Sequence, residues 1–486
     1  MRIEVEREHG KRLLMNSILL FAARGWSQLS ALVLMLVAGR FLGLNDFGEF
    51  TLAAAVALML NQFMAVGTFE YVIRHAEERD APNTAFWVNM MLGAAYWLGG
   101  MLIAFIAGRV FRSDTVAMLV YLMVPLSLPA GARSTAESIL VRDGRLGSMA
   151  VTSIVVETTA LAVGITGLLT GWGVLSLVAT RYVQSGVASL IFLAVARWTP
   201  SFRYSQAQAS GMMRLWRSMI VDRGLGYFQN YGADLLLGWF MSPAAVAIYR
   251  MSSRIIALVT TIVYEPMRTI NWRILSRIHS NGGEIGRATE LIIGCIYLLL
   301  LGPLLLLGIT GGDVTVFALG PQWRGTEMVI MFLSISALFG LPSQLSEPGF
   351  GVAGEIRRLP LQRIITISIS ISMLFVFARY GPVGAAASQM TAAALGFLVT
   401  AIIQNRVLGV RPRHYMVNGG YALAAGLMAV GLAKLFEDFA PDMPHVVRLS
   451  AMVLIDVAIY AGLVALFRRK PLLDLLRLAS GREATA

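Results

Sequence analysis

Seven arginines, Arg24, Arg133, Arg181, Arg223, Arg250, Arg254 and Arg268, stand inside long apolar runs. A guanidinium stays charged at any physiological pH and can hold a phosphate through two parallel hydrogen bonds. At a bilayer centre such a charge costs about 2.5–3.5 kcal/mol on insertion scales, so each one must meet a partner, a cavity or the interface. At a helical rise of ~1.5 Å per residue, Arg24, Arg223 and Arg254 all come to lie roughly 15 Å deep, near the midplane. Three cations at one depth suit an anionic head group. Arg250 and Arg254 are one helical turn apart with like charge, which is costly unless an anion or an outside carboxylate answers them. Arg133 and Glu137 have the same spacing with opposite charge and read as a structural pair. Arg268 reads as reaching back to the surface along its aliphatic stem, and Arg181 suits either role.

Carboxylates in the apolar runs are Glu70, Glu157, Asp222, Asp234, Glu265, Glu347 and Asp456. Asp222, Asp234 and Glu265 are candidates for balancing the arginines or for carrying a coupling proton or sodium ion. Glu265 precedes Pro266, and proline removes a backbone donor and crowds the preceding turn, so a break or kink is expected there. Asp456 reads as a packing group. Chemistry of other kinds lacks its residues: there is no P-loop, no His and Cys cluster spaced for zinc and no paired carboxylate motif in a loop, so neither a metal nor another cofactor is expected. The single cysteine, Cys295, lies in an apolar run and reads as packing.

The elements that position these groups follow from composition. Of 486 residues, 57% are hydrophobic and 14% charged, and the mean hydropathy is +0.68. That is too apolar to cover a soluble fold and marks an all-α polytopic membrane protein. The runs read as fourteen helices: 13–39, 47–73, 84–110, 115–140, 147–170, 173–196, 213–240, 243–276, 286–309, 326–353, 359–378, 382–404, 415–434 and 446–467. The first is too long for a signal peptide and is expected to remain as a span. An even count puts both termini on one side, and loops there hold 26 Lys and Arg against 7 opposite, which makes that side cytoplasmic. Most of the net charge of +12 is therefore orientation signal, and nucleic acid is not an expected partner.

A repeat organises the chain. Shifted by 199 positions, Arg223-Gly224 falls on Arg24-Gly25, Gly238 on Gly39, Phe240 on Phe41, Ala247 on Gly48 and Tyr249 on Phe50. A weaker echo pairs Gly171-Trp172-Gly173 with Gly381-Pro382-Val383-Gly384. An even number of helices separates the copies, so the repeat is parallel, and carriers built this way bind cargo where their halves face. The expected division is a six-helix lobe at 1–200, a cytoplasmic linker at 201–211, a second six-helix lobe at 212–405, and two appended helices with a basic tail at 406–486.

GRFLGLNDFGEFTLA after the first helix, the N-x-x-A-D-x-x-x-G run from Asn230 to Gly238 followed by Ala247-Ile248-Tyr249, and LGPQWRG at 319–325 resemble the bacterial polysaccharide flippases. These belong to the multidrug/oligosaccharidyl-lipid/polysaccharide exporter superfamily. The resemblance covers essentially the whole chain. It implies two six-helix lobes around a central cavity, with alternating access that moves an undecaprenyl-diphosphate-linked oligosaccharide, a precursor of exopolysaccharide, capsule or O-antigen, across the bacterial inner membrane. The family's use of cavity arginines for the lipid diphosphate fits Arg24, Arg223 and Arg254 as substrate contacts; Arg250, Asn230 and Arg181 are further candidates, and membrane lipids and a polysaccharide polymerase with its export machinery are the expected partners. Two other functions compete. A cation-coupled multidrug exporter of the same superfamily would favour an acidic or aromatic cavity, against which seven arginines count. A membrane polymerase or ligase would need a catalytic external loop, and the external loops here are short.

Overall fold

The computed structural model describes residues 2–62, 67–439 and 445–480, and among these every regular element is helical. The helices are α1 (Arg2–Phe41), α2 (Leu44–Gln62), α3 (Thr68–Arg74), α4 (Ala81–Phe111), α5 (Asp114–Met123), α6 (Ser127–Arg142), α7 (Leu146–Leu169), α8 (Leu175–Tyr182), α9 (Ala188–Ala196), α10 (Gln206–Phe240), α11 (Pro243–Ser280), α12 (Ile285–Leu319), α13 (Glu327–Gln344), α14 (Ser346–Val352), α15 (Leu359–Phe377), α16 (Gly381–Leu408), α17 (Pro412–Phe439) and α18 (His445–Ser480). Among the described residues, 11 helical runs are long and apolar enough to cross a membrane. One of them, Ile356–Leu408, holds both α15 and α16. The expected spans at 47–73 and 213–240 are not among the 11. The first is divided into α2 and α3, and α10 is interrupted by Arg214, Arg217, Asp222, Arg223 and Asp234. The chain is a multi-pass, all-helical membrane protein.

Helix boundaries reproduce the repeat. α1 ends at Phe41 and α10 at Phe240, and α2 begins at Leu44 and α11 at Pro243, the same offset at both places. Gly171 and Gly381, the first residues of the weaker echo, both take φ 82°, a left-handed conformation open mainly to glycine. The helical passages starting at Asp114 and Glu327 are both interrupted. The first breaks where a short 3₁₀ turn at Val124–Leu126 includes Pro125, and the second at Leu345, between Pro342 and Pro348. Proline accounts for both, since it withdraws a donor from the helical ladder. At Pro266 the helix does not break, and α11 runs on from Pro243 to Ser280. One missing hydrogen bond in a helix of this length is offset by the packing on either side.

By contact the chain forms two units, Met1–Ala247 and Ile248–Ala486. In the first, α1 packs on α7, α4 on α5 and α6, α6 on α9, and α10 on α2, α3 and α4. α10 belongs there because it is fastened at several levels: Tyr227 donates to the Ala55 carbonyl at 2.7 Å, and Gln208 accepts from Thr84 at 2.7 Å and donates to Glu78 at 2.8 Å. In the second unit α12 is the central post, packed on α13, α17 and α18, with α13 and α15 on α16. Its buried face includes Ile292, Ile293, Cys295, Ile296, Leu300 and Leu304. The 319–325 motif is structural, since Trp323 is wholly buried beneath the loop. Glu290 is buried too, accepting from the Arg411 backbone N–H at 2.5 Å and lying 2.7 Å from His414 Nδ1, which joins α12 to the start of α17.

Candidate functional site

Arg24 and Arg223 lie in the first unit and differ in what surrounds them. Arg24 is exposed on α1 one residue after Ala23, which is buried. A Cβ at the following Gly25 would meet open space. Arg24 makes no ion pair among the described residues, so its guanidinium is available to an outside anion. Arg223 on α10 is 44% exposed, and its Nη2 lies 3.7 Å from Glu70 Oε1. The other oxygen of Glu70 accepts the Gly67 backbone N–H at 2.9 Å, at the start of α3. Glu70 therefore holds a helix start and leaves Arg223 with a long, half-exposed contact. Exposed pairs of that length contribute little, so the arginine can exchange partners cheaply.

Arg250 and Arg254 lie one turn apart on α11 in the second unit, both half-buried. Asn230 is exposed, and its amide donates to the Gly226 carbonyl at 2.9 Å within α10. Of the candidate ion carriers, Asp234 is wholly buried in the first unit. Glu265 is half-exposed and lies 3.6 Å from Arg268, so Arg268 meets a local carboxylate. The side chain of Asp222 lies outside the described residues. Asp456 is 2% exposed and lines a cavity of about 640 Å³ in the second unit, together with Leu298, Tyr460 and Arg469. Cys295 is buried and donates from Sγ to the Pro471 carbonyl.

Arg181 falls in a polar network that its sequence spacing does not reveal. Between α8 and α9 the chain makes a π turn at Val183–Val187, a wider turn common at functional sites. Arg133 Nη1 donates to the Gln184 carbonyl at 2.6 Å, and its Nε donates to Glu137 Oε1 at 2.7 Å, so the expected i, i+4 pair forms. Its guanidinium also lies over the Phe192 ring, 5.1 Å from the centroid. Arg181 Nη1 donates to Gln184 Oε1 at 3.2 Å, and Gln184 Nε2 donates to Glu157 Oε2 at 2.9 Å. The sequence signs of this network are the Arg133–Glu137 spacing and the run Gln184-Ser185-Gly186 inside an apolar stretch, and neither shows that Arg181 and Glu157 meet at Gln184. Among the described residues no group of three His, Cys, Asp or Glu is arranged for a metal.

Comparison with known proteins agrees with this architecture. The chain is 23% identical over 487 aligned residues to the succinoglycan biosynthesis transport protein ExoT of Rhizobium meliloti strain 1021, covering 95% of this chain and 96% of the relative. Its fold is similar to the lipid II flippase MurJ in an inward closed conformation, with TM-score 0.74 and 13% identity over 94% of this chain and 100% of the other. It is also similar to an inward-facing multidrug resistance transporter of the MATE family in the MOP superfamily, with TM-score 0.61 and 14% identity over 77% of this chain and 94% of the other. These two likenesses concern the fold. Residues 37–328 match the polysaccharide biosynthesis protein family, and with more than half its length inside that match, the chain belongs to that family.

Proposed function

We propose that the protein is a flippase that moves an undecaprenyl-diphosphate-linked oligosaccharide from the cytoplasmic to the outer leaflet of a bacterial inner membrane, with both termini in the cytoplasm. The observation that carries this reading is the state of the two repeat-related arginines. Arg24 is exposed and, among the described residues, Arg223 is held only by a 3.7 Å contact to Glu70. Charges inside membrane helices are costly and persist where they serve a pathway or a ligand, and a diphosphate is the anion that a guanidinium binds through paired hydrogen bonds. Arg250 and Arg254 on α11 and Asn230 on α10 would add contacts as the cargo moves. The succinoglycan transport relative and the family of polysaccharide biosynthesis proteins support an exopolysaccharide precursor as cargo.

Driving force belongs to the same reading. Asp234, wholly buried on α10, is the leading carrier for a coupling proton or sodium ion, ahead of Glu265, which is half-exposed. The double variant Arg24→Ala/Arg223→Ala should abolish export of polymer by cells while the protein still reaches the membrane, and normal export would defeat the assignment. The multidrug reading shares the fold but not the charge. A deletion strain should show unchanged susceptibility to cationic dyes, and hypersensitivity reversed by the intact gene would favour that alternative.

A further inference from the structure

We infer that the cavity beside the π turn of the first unit is a binding site for a neutral sugar ring of the cargo. This subsite is separate from the arginines proposed to hold the diphosphate, and it rests on the reading of the cargo as a glycan. The cavity measures about 310 Å³ and is walled by α2, the α5–α6 break, α6 and the turn after α8. That volume is at the small end of ligand sites, which run about 300–1,000 Å³. Arg133, Ser134, Glu137, Arg181 and Gln184 line it opposite apolar Leu58 and Met123.

Charge selects the ligand class. Arg133 and Arg181 are countered by Glu137 and by Glu157, which Gln184 links to the cavity. An anion entering would gain two guanidinium groups but meet the two carboxylates, and a cation would face the reverse. A hydroxyl group both donates and accepts, so a ring carrying several of them matches walls where donors and acceptors stand side by side. Such groups remain to be used: Arg133 Nη2, Glu137 Oε2 and the Ser134 hydroxyl have no hydrogen bond among the described residues. Arg133 is pinned by Glu137, the Gln184 carbonyl and the Phe192 ring, so its free edge is pre-oriented. A purely structural ion network in a membrane would close on itself, because empty volume around charges is costly. Here the network borders an open cavity.

The test uses the full-length protein purified in nanodiscs, with thermal unfolding followed against maltose as the neutral probe and pyrophosphate as the diphosphate probe. Saturating maltose should raise Tm by about 1–3 °C through preferential binding to the folded state. Ala130→Phe, which fills the cavity, and Arg181→Met should each remove that rise while leaving the pyrophosphate effect intact. Glu157→Gln should keep it, because the amide oxygen still accepts from Gln184. A maltose effect that survives both Ala130→Phe and Arg181→Met is exclusion of sugar from the protein surface and overturns the inference, as does its disappearance in a folded Glu157→Gln. Loss of the pyrophosphate effect in Arg24→Ala/Arg223→Ala, with the maltose effect retained, supports both sites as distinct. Absence of any pyrophosphate effect in the intact protein counts against the diphosphate reading alone.

Discussion

At the scale of residues, the two repeat-related arginines need separate treatment despite their matching positions. Arg24 stands exposed, whereas Arg223 shares Glu70 with the start of α3. Arg24→Lys keeps the charge but loses the planar fork that grips two phosphate oxygens, so polymer export should fall several-fold without vanishing. Arg24→Ala should fall further in the same assay, and equal export by the lysine and alanine variants would show that charge at this position is irrelevant. Among the carboxylates, Asp234→Asn should reduce export more than Glu265→Gln, since Asp234 is wholly buried and Glu265 is half-exposed. The reverse order would move the coupling site to α11.

At the scale of elements, the turn that ends each repeated helix is also a packing point. Gly48, near the start of α2, is pressed against the backbone of Pro243 at the start of α11, and a Cβ there would run into it. The contact lies inside the first unit, where Gly238 on α10 likewise packs against Leu52 of α2. Backbone cannot move aside as a side chain can, so Gly48→Ala should cost about 1–3 kcal/mol by overpacking. A lowered Tm of the purified variant checks this, and an unchanged Tm would mean that the helix ends separate freely. The interrupted passages show the opposite design. Pro125 sits in the 3₁₀ turn between α5 and α6, and that break borders the polar cavity through Met123 and Leu126.

At the scale of the whole molecule, the arginine bias between loops predicts where each end lies. Fusions of a cytoplasm-active reporter to either terminus should be active, and a periplasm-active reporter should work in the loop around Pro321 but not at 201–211. A periplasmic signal from either terminus would invert the proposed topology. The all-helical class and the repeat were legible in the sequence, because apolar length and a fixed offset survive without knowledge of contacts. The offset of 199 reappears in the ends of α1 and α10. Continuity at Pro266 and the π turn at Val183–Val187 were not legible. Both depend on how neighbouring helices satisfy or strain a backbone whose local sequence permits more than one course.

By itself the sequence determined that this chain crosses a membrane many times, in two related halves with arginines set inside apolar runs, because placing a charge in lipid is costly enough to leave a mark in one dimension. Tertiary structure decided which charges are answered. Arg133 found Glu137 at the spacing the helix allows, but Arg223 found Glu70 some 150 residues earlier, and Arg181 joined Gln184 and Glu157 around a cavity. Such partners are set by the packing of helices distant in the chain, which residue spacing along a single helix does not encode.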